Sequence, residues 1–524
     1  EMSRGLGDVY KRQAKDKICL CETRECTPEA CPYANGYYAR IKGALWDVLD
    51  VPCLTAETLQ EYAERHTVCP FELGLDSSLW SDVIIGDYNY LFDPVVHLVR
   101  FFESAGDYIF LVDEAHNLPG RAREMHSAAL TKTSFYEAKK LLGKGKSSLK
   151  NALTKVNDVF IEWRHRAEEE TAARDGRFGK TFFLKERSEE FDHLLNRLCE
   201  PLEAWLDDHR EPDETHTALL QLYFDVRAWL RVADTFDDHF VLQITASGSE
   251  VRAAQLCLDP SAFLADSFAL GRAAVLFSAT LAPASYYKDL CGVPEARAVA
   301  LRSPFPAGNQ GLFCIGNVST RYKDRDASLA IVEESLATMV RARCGNYLAF
   351  FPSYVYMEQA YAQFKEHCPE INCIKQENAM DEQQKAAFLA QFVPGPSQPL
   401  LGFAVMGGVF GEGVDLTGDR LIGVGIVGPG LPQVGPRQEQ LRDYFEQTRG
   451  SGFDYAYRYP GMNKVLQAAG RVIRTPQDKG VVLLIDSRFA MPDYRRLMPP
   501  HWSHLKMIYD TEKLERELWR FWEE

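Results

Sequence analysis

The run Tyr108-Ile109-Phe110-Leu111-Val112-Asp113-Glu114-Ala115-His116 decides how this chain is read. Its first five residues are apolar, which predicts a buried parallel strand. Two carboxylates follow where that strand ends. In open α/β sheets the C-terminal strand ends face the ligand crevice. An Asp there can hold Mg²⁺, directly or through water, and the next Glu can orient or deprotonate a water that attacks a γ-phosphate. His116 is placed to couple such a site to a second domain. The plain alternative is a hydrophobic strand running into a polar turn, and two carboxylates alone do not separate the two readings.

Composition narrows the field. A chain of 524 residues predicts roughly three or four domains. No apolar run approaches roughly 18 residues, so no membrane span is expected and a cytoplasmic location is. The net charge of −15 argues against a globally basic nucleic-acid binder. Contact with DNA then needs local basic strips on an acidic body. Residues 1–13 (EMSRGLGDVYKRQ) show no periodicity and read as a foreign or scar segment outside the fold.

Cys19, Cys21, Cys26, Cys31, Cys53 and Cys69 crowd the first 69 residues. No secretory signal is visible, so a metal or cluster is a better reading than disulfides. The spacing Cys19-x₆-Cys26-x₄-Cys31-x₃₇-Cys69 lacks paired C-x₂-C knuckles, which favours an iron–sulfur cluster over zinc. Cys21 is an alternative to Cys19, and Cys53 reads as a bystander. Helical spacing predicts helices over residues 37–49 and 59–66.

Val83-Ile84-Ile85 reads as a short buried strand, and Tyr88 and Tyr90 after it either stack on bases or pack in the core. Residues 117–240 show helical spacing and a basic stretch, Lys139, Lys140, Lys144, Lys146, Lys150 and Lys155. They read as an all-helical insertion whose lysines line a nucleic-acid path or form a solvated face. Residues 273–277 predict another buried strand. Ser278-Ala279-Thr280 follows it, with hydroxyls suited to bond the opening carboxylates.

Residues 300–524 form a further α/β unit, with strands over 346–351, 421–427 and 480–486. Its run from Gly407 to Asp415 offers glycines for close backbone approach to a ligand. Taken as a helix, residues 467–474 put Gln467, Arg471 and Arg474 on one face as a triphosphate sensor. An arginine in that role can contribute ~10³–10⁵ in rate.

Asp113-Glu114-Ala115-His116, Ser278-Ala279-Thr280, the Gly408 to Asp415 run and Gln467-x₂-Gly470-Arg471-x₂-Arg474 occur in the order of superfamily 2 helicase motifs II, III, V and VI. With cysteines before the DEAH box and an insertion after it, the chain resembles the XPD/DinG group of iron–sulfur DNA helicases, in a bacterial DinG-like form. The resemblance implies an α/β fold of two RecA-like motor domains with parallel sheets, an Fe–S cluster insertion and a helical arch. On that basis 14–78 is the cluster region, 79–118 and 241–299 motor domain 1, 119–240 the arch and 300–524 motor domain 2.

The same resemblance implies ATP-driven 5′→3′ translocation on single-stranded and forked DNA, in repair or replication-associated unwinding. It assigns Asp113 to Mg²⁺ and Glu114 to water activation. His116 is carried over with them, and Gln467, Arg471 and Arg474 would contact nucleotide phosphates. Ser278, Thr280, Gly411, Glu412, Gly413 and Asp415 would complete the ATP site. A 4Fe–4S cluster would sit on Cys19, Cys26, Cys31 and Cys69. Residues 14–18 resemble motif Ia, expected near DNA.

One departure is large. No Gly-x-x-x-x-Gly-Lys-Ser/Thr occurs in the 524 residues. That loop cradles the β- and γ-phosphates. The expectation is an N-terminally truncated helicase with weak ATP binding and little turnover. The competing expectation is a non-catalytic DNA-binding or scaffold protein. No carboxylate cluster with nuclease spacing stands out.

Overall fold

The computed structural model describes residues 9–11, 15–22, 25–143, 147–173, 179–209, 211, 213–410 and 416–523. They fall into two units, Glu1–Gly106 and Asp107–Glu524.

The first unit runs β1 (Val9–Lys11), α1 (Lys15–Ile18), α2 (Tyr37–Val48), β2 (Cys53–Leu54), α3 (Ala56–His66), α4 (Pro70–Ser77), β3 (Val83–Ile85), α5 (Asn89–Phe92) and α6 (Val99–Phe102). β1 lies between β2 and β3 and is parallel to both. Part of the stretch set aside as foreign is therefore the middle strand of a sheet. α2 buries Tyr37, Ile41, Ala44 and Val48, spaced three or four apart, against Leu59 and Ala63 of α3 and Leu73 of α4. Thr55 caps α3 by accepting the Thr58 N–H at 3.3 Å, and Pro70 opens α4. β3 departs from expectation, because Ile84 and Ile85 are exposed rather than buried.

The second unit begins with β4 (Ile109–Val112) and α7 (Leu118–Met125), followed by β5 (Ala128–Thr131), α8 (Lys132–Leu141), α9 (Ser148–Ala173), β6 (Lys180–Leu184), α10 (Glu189–Asp208), α11 (Glu214–Thr235), β7 (Phe240–Ser247) and β8 (Glu250–Cys257). Then come α12 (Ser261–Ala269), β9 (Ala273–Leu276) and α13 (Ala284–Leu290). β4 and β9 pair in parallel, Ile109 opposite Ala273 and Val112 opposite Leu276. This strand pair is also less buried than its apolar sequence predicts. Ile109 is 62% and Leu111 67% exposed, while Val112 is buried.

The insertion is not all-helical. α8 to α11 pack on an antiparallel sheet of order β5-β8-β7-β6. β7 and β8 form a hairpin turned at Gly248, whose φ is +61°. Residues 241–257 therefore belong to this sheet and not to the first motor. Both faces of the hairpin are buried. Leu242, Ile244, Val251 and Ala253 meet the helices, and Val241, Ala254 and Leu256 join a second apolar cluster. A strand buried on both sides has no alternation to read. Where α10 meets α11, the Trp229 indole N–H donates to the buried Asp192 carboxylate at 2.8 Å.

The rest comprises β10 (Gln310–Ile315), α14 (Arg325–Arg341), β11 (Asn346–Phe351), α15 (Tyr354–His367), β12 (Asn372–Lys375), α16 (Glu382–Ala390), β13 (Leu400–Val405), β14 (Gly423–Val427), α17 (Pro436–Arg449), α18 (Tyr459–Ala469), β15 (Gly480–Ile485), α19 (Pro492–Arg495), β16 (Lys506–Ile508) and α20 (Thr511–Glu523). The strands form one parallel sheet of order β12-β13-β11-β14-β15-β10-β16. Alternate residues feed two cores. β11 sends Leu348 and Phe350 to one, and Tyr347, Ala349 and Phe351 to the other. Full burial of each such side chain contributes about 1.5–3 kcal/mol, so this sheet is the stiff platform of the molecule. No helix among the described residues is long and apolar enough to cross a membrane.

Asp192 yields a test. Burial raises its pKa, with the Trp229 hydrogen bond and Arg187 opposing. A raised folded-state pKa means that folding binds the proton, so this group costs stability as pH climbs above the ordinary carboxylate range. Asp192→Asn keeps an acceptor for Trp229 and removes the charge. By calorimetry its Tm is expected to match the parent in acid and exceed it at neutral pH. A lower Tm at neutral pH would mean that the charge itself is needed.

Candidate functional site

The chain turns sharply where β4 ends. Glu114 has φ +46°, a left-handed conformation that residues other than glycine rarely adopt. Two hydrogen bonds hold it. The Asp113 carboxylate accepts the Glu114 N–H at 2.7 Å, and the Ala115 N–H donates to the Phe277 carbonyl at 3.1 Å. The turn throws the Glu114 side chain outward, 63% exposed, and tucks His116 inside, its side chain 2% exposed.

Ser278 follows β9 and stands at the centre of what the turn assembles. Its hydroxyl donates to Glu114 Oε2 at 3.2 Å and lies 2.8 Å from His116 Nδ1. It also accepts the Thr280 N–H at 3.2 Å, with the Thr280 hydroxyl at 3.4 Å. On the far side of the imidazole, Gln467 Nε2 from α18 meets His116 Nε2 at hydrogen-bond length. A serine has one proton to give, and a glutamine –NH₂ only donates. The consistent pattern puts the His116 proton on Nδ1, shared by Ser278 and Glu114, and leaves Nε2 to accept from Gln467. The hydrogen-bond pattern assigns this tautomer.

Glu114, His116, Ser278, Thr280 and Gln467 thus come together, and Asp113 sits at the same strand end. Arg471 and Arg474 do not share a helical face with Gln467. α18 stops at Ala469, and Gly470 begins the turn that follows. The Asp478 carboxylate then captures the Arg474 and Thr475 N–H groups at 2.6 and 2.7 Å, which holds the chain in a turn beyond the helix. Both arginines are half-buried beyond the helix. Gly411, Glu412, Gly413 and Asp415 lie outside the described residues.

A cleft of about 490 Å³ opens beside the His116–Gln467 contact. Its walls include Arg123, Gly407, Asn463 and Lys464. The sequence reading passed over Lys464. The available signal was its position three residues before Gln467 on the same helix. Two fragments echo part of a phosphate loop, Gly145-Lys146-Ser147 and Gly179-Lys180-Thr181. The second opens strand β6, and Lys180 pairs with Glu168 at 2.7 Å, so no helix N-terminus follows it. Lys146 lies outside the described residues.

In the first unit, Cys21 and Cys31 approach to 3.9 Å between sulfurs, with Cys19 beside them. Burial, then Cys31, pushes the Cys21 thiol up to about 11. Cys26 is exposed, and Cys69 sits at the start of α4, where burial raises its thiol against the Glu72 and Phe71 N–H groups. Among the described residues no three His, Cys, Asp or Glu side chains are arranged to hold a metal. The donor chemistry suits a thiolate-bound cluster, but the thiols as arranged do not encircle one centre. Cys19, Cys26, Cys31 and Cys69 are not brought together as a set.

Two family models match the chain: DEAD_2 over residues 4–135, and the Helicase C-terminal domain over residues 336–505. Two solved XPD structures share its fold: an XPD helicase (TM-score 0.58, 18% identity, 96% of this chain and 92% of that one) and Xpd4 of S. tokodaii (TM-score 0.56, 15% identity, 96% of each). Together with the motif order, these matches support an XPD/DinG-like superfamily 2 helicase.

Its relatives include the "General transcription and DNA repair factor IIH helicase subunit XPD" of Schizosaccharomyces pombe, 24% identical over 85% of this chain and 67% of that protein. The "ATP-dependent DNA helicase CHL1" of Coccidioides immitis is 22% identical over 86% of this chain and 60% of that protein. The "Regulator of telomere elongation helicase 1" of Rattus norvegicus is 22% identical over 96% of this chain and 46% of that protein. The chain therefore spans about half to two thirds of the length of these relatives.

The assigned tautomer is open to measurement. In ¹⁵N-histidine-labelled protein His116 is expected to carry its proton on Nδ1, and Ser278→Ala is expected to shift both ring nitrogens. A ring doubly protonated at neutral pH would contradict the network.

Proposed function

We propose that the chain is the motor portion of an ATP-dependent DNA helicase that translocates 5′→3′ on single-stranded DNA, entering forked substrates during repair or replication-associated unwinding. The observation that carries this reading is the continuous path Glu114–Ser278–His116–Gln467. It joins the carboxylate expected to face a γ-phosphate to a helix of the other sheet. Such a path is what coupling nucleotide state to motor movement requires.

In this reading Asp113 holds Mg²⁺ and Glu114 orients the attacking water. Ser278 and Thr280 sense the γ-phosphate through Glu114. Arg471 and Arg474 neutralise charge developing on the transferred phosphoryl group. Gly411, Glu412, Gly413 and Asp415 complete the nucleotide site. DNA-stimulated ATP hydrolysis tests the assignment. Glu114→Gln is expected to reduce turnover by at least ~10²-fold while ATP binding persists, in line with the size of general-base effects. Retained turnover in that variant removes Glu114 from the role.

A second reading is favoured by one observation, the lack of Gly-x-x-x-x-Gly-Lys-Ser/Thr in the 524 residues. It makes the chain a non-catalytic DNA-binding or scaffold protein. DNA binding without any DNA-stimulated hydrolysis in the unaltered protein would select it.

The cysteine block is proposed to carry a 4Fe–4S cluster on Cys19 or Cys21 with Cys26, Cys31 and Cys69. Support comes from cysteine density and the family, not from the arrangement of the thiols. Protein purified without oxygen is expected to be brown, with iron and acid-labile sulfide in equal amounts. Stoichiometric zinc without iron would refute the cluster.

A further inference from the structure

We infer that the cleft beside the His116–Gln467 contact is a backbone-phosphate position for a single nucleic-acid strand, with Lys464 as its cation. The inference rests on the DNA-motor reading above and adds to it a residue that no motif supplies.

The cleft wall carries two basic side chains, Arg123 and Lys464, and no carboxylate among the described residues that line it. Arg123 is held in place, its Nε–H donating to the Leu258 carbonyl at 2.8 Å. Lys464 has no ion pair with a described carboxylate, and burial alone lowers its pKa. A desolvated ammonium with no described carboxylate paired to it is costly to keep. An anion entering the cleft would offset that cost.

The lysine also lies against the backbone of a neighbouring turn. Gly407 has φ +72°, and a Cβ there would lie 2.9 Å from Lys464 Cε and 3.2 Å from its Nζ. The ammonium therefore rests directly over the backbone of Gly407, beside Gly408. In the same wall Asn463 is buried, and its Oδ1 finds no partner. Turning that amide would present its –NH₂ as a second donor.

The helix that carries Lys464 is clamped. A Cβ on Gly461 would meet the Pro429 carbonyl at 2.6 Å, so α18 packs against the loop after β14 with no slack. Lys464 and Gln467 lie three residues apart on one face of α18. An anion at Lys464 thus bears on the same helical turn that holds His116, and through it Ser278 and Glu114. Two features favour a strand phosphate over a free one. About 490 Å³ exceeds what one phosphate needs, and Pro119, Pro460 and Tyr287 give the remaining wall an apolar face suited to sugar and base.

The test is salt-dependent binding of fluorescein-labelled oligo-dT to the whole chain, read by anisotropy. A lysine that neutralises one phosphate adds about 0.7 to the slope of log K against log salt for a single strand. Lys464→Met is expected to weaken binding several-fold at low salt and flatten the slope by about that amount, with Tm unchanged or raised. Lys464→Arg is expected to keep both affinity and slope. Lys464→Gln gives the same reading as Lys464→Met if the latter loses its melting transition. Unchanged affinity and slope in a folded charge-removing variant overturns the proposal. So does protection of the parent, but not of Lys464→Met, by inorganic phosphate when oligo-dT binding is the same in both, because the site then serves a free anion. If the unaltered protein binds no oligo-dT at all, the DNA-motor reading falls first and this proposal falls with it.

Discussion

One hydroxyl, Ser278 Oγ, holds the candidate site together. It touches the carboxylate of Glu114, the imidazole of His116 and the backbone of Thr280. Each contact fixes something different: where the exposed carboxylate points, which ring nitrogen carries the proton, and how the chain leaves β9. The imidazole then spans to Gln467, 351 residues away in sequence. Only the imidazole is fully buried, and a buried polar group is expensive unless it is paired on both sides. A change at Glu114 therefore has a defined route to α18.

The two ends of that route differ in rigidity. α18 rests on a seven-stranded parallel sheet whose central strands are buried on both faces. β4 and β9 form a two-stranded sheet with apolar side chains in solvent. Glu114 adds a strained backbone at the tip of that soft pair. Regions with few buried contacts open at low free energy, and moving parts of motors are drawn from them. The site joins a yielding element to a stiff one, as a device that converts ligand occupancy into displacement requires.

What could be read in the sequence followed from local rules. The carboxylates end an apolar strand, the hydroxyls end another, and both strands are parallel and paired in register. Three strands of the seven-stranded sheet, β11, β14 and β15, were visible as apolar runs. The arginines misled because periodicity cannot see Asp478, which pulls the chain out of the helix after Gly470. The β7–β8 hairpin was hidden because both its faces are buried, leaving no alternation. Its turn at Ser247-Gly248-Ser249 was the clue available. The cysteine block announces its chemistry by density, but spacing cannot say which thiols meet. Cys21, not Cys19, lies against Cys31.

Net charge was the least informative quantity. At −15 it argues against nucleic acid, yet at physiological salt a charge acts over only about 8 Å, so a ligand senses the wall it meets and not the whole molecule. The cleft beside Gln467 has low-dielectric walls, two cations and no lining carboxylate among the described residues, a combination that focuses positive potential. On an acidic body, such a cleft makes favourable contact with a polyanion local. Under the proposed motor function, that contrast is more useful than uniform basic charge: it limits where a strand rests and keeps each resting contact weak enough to break.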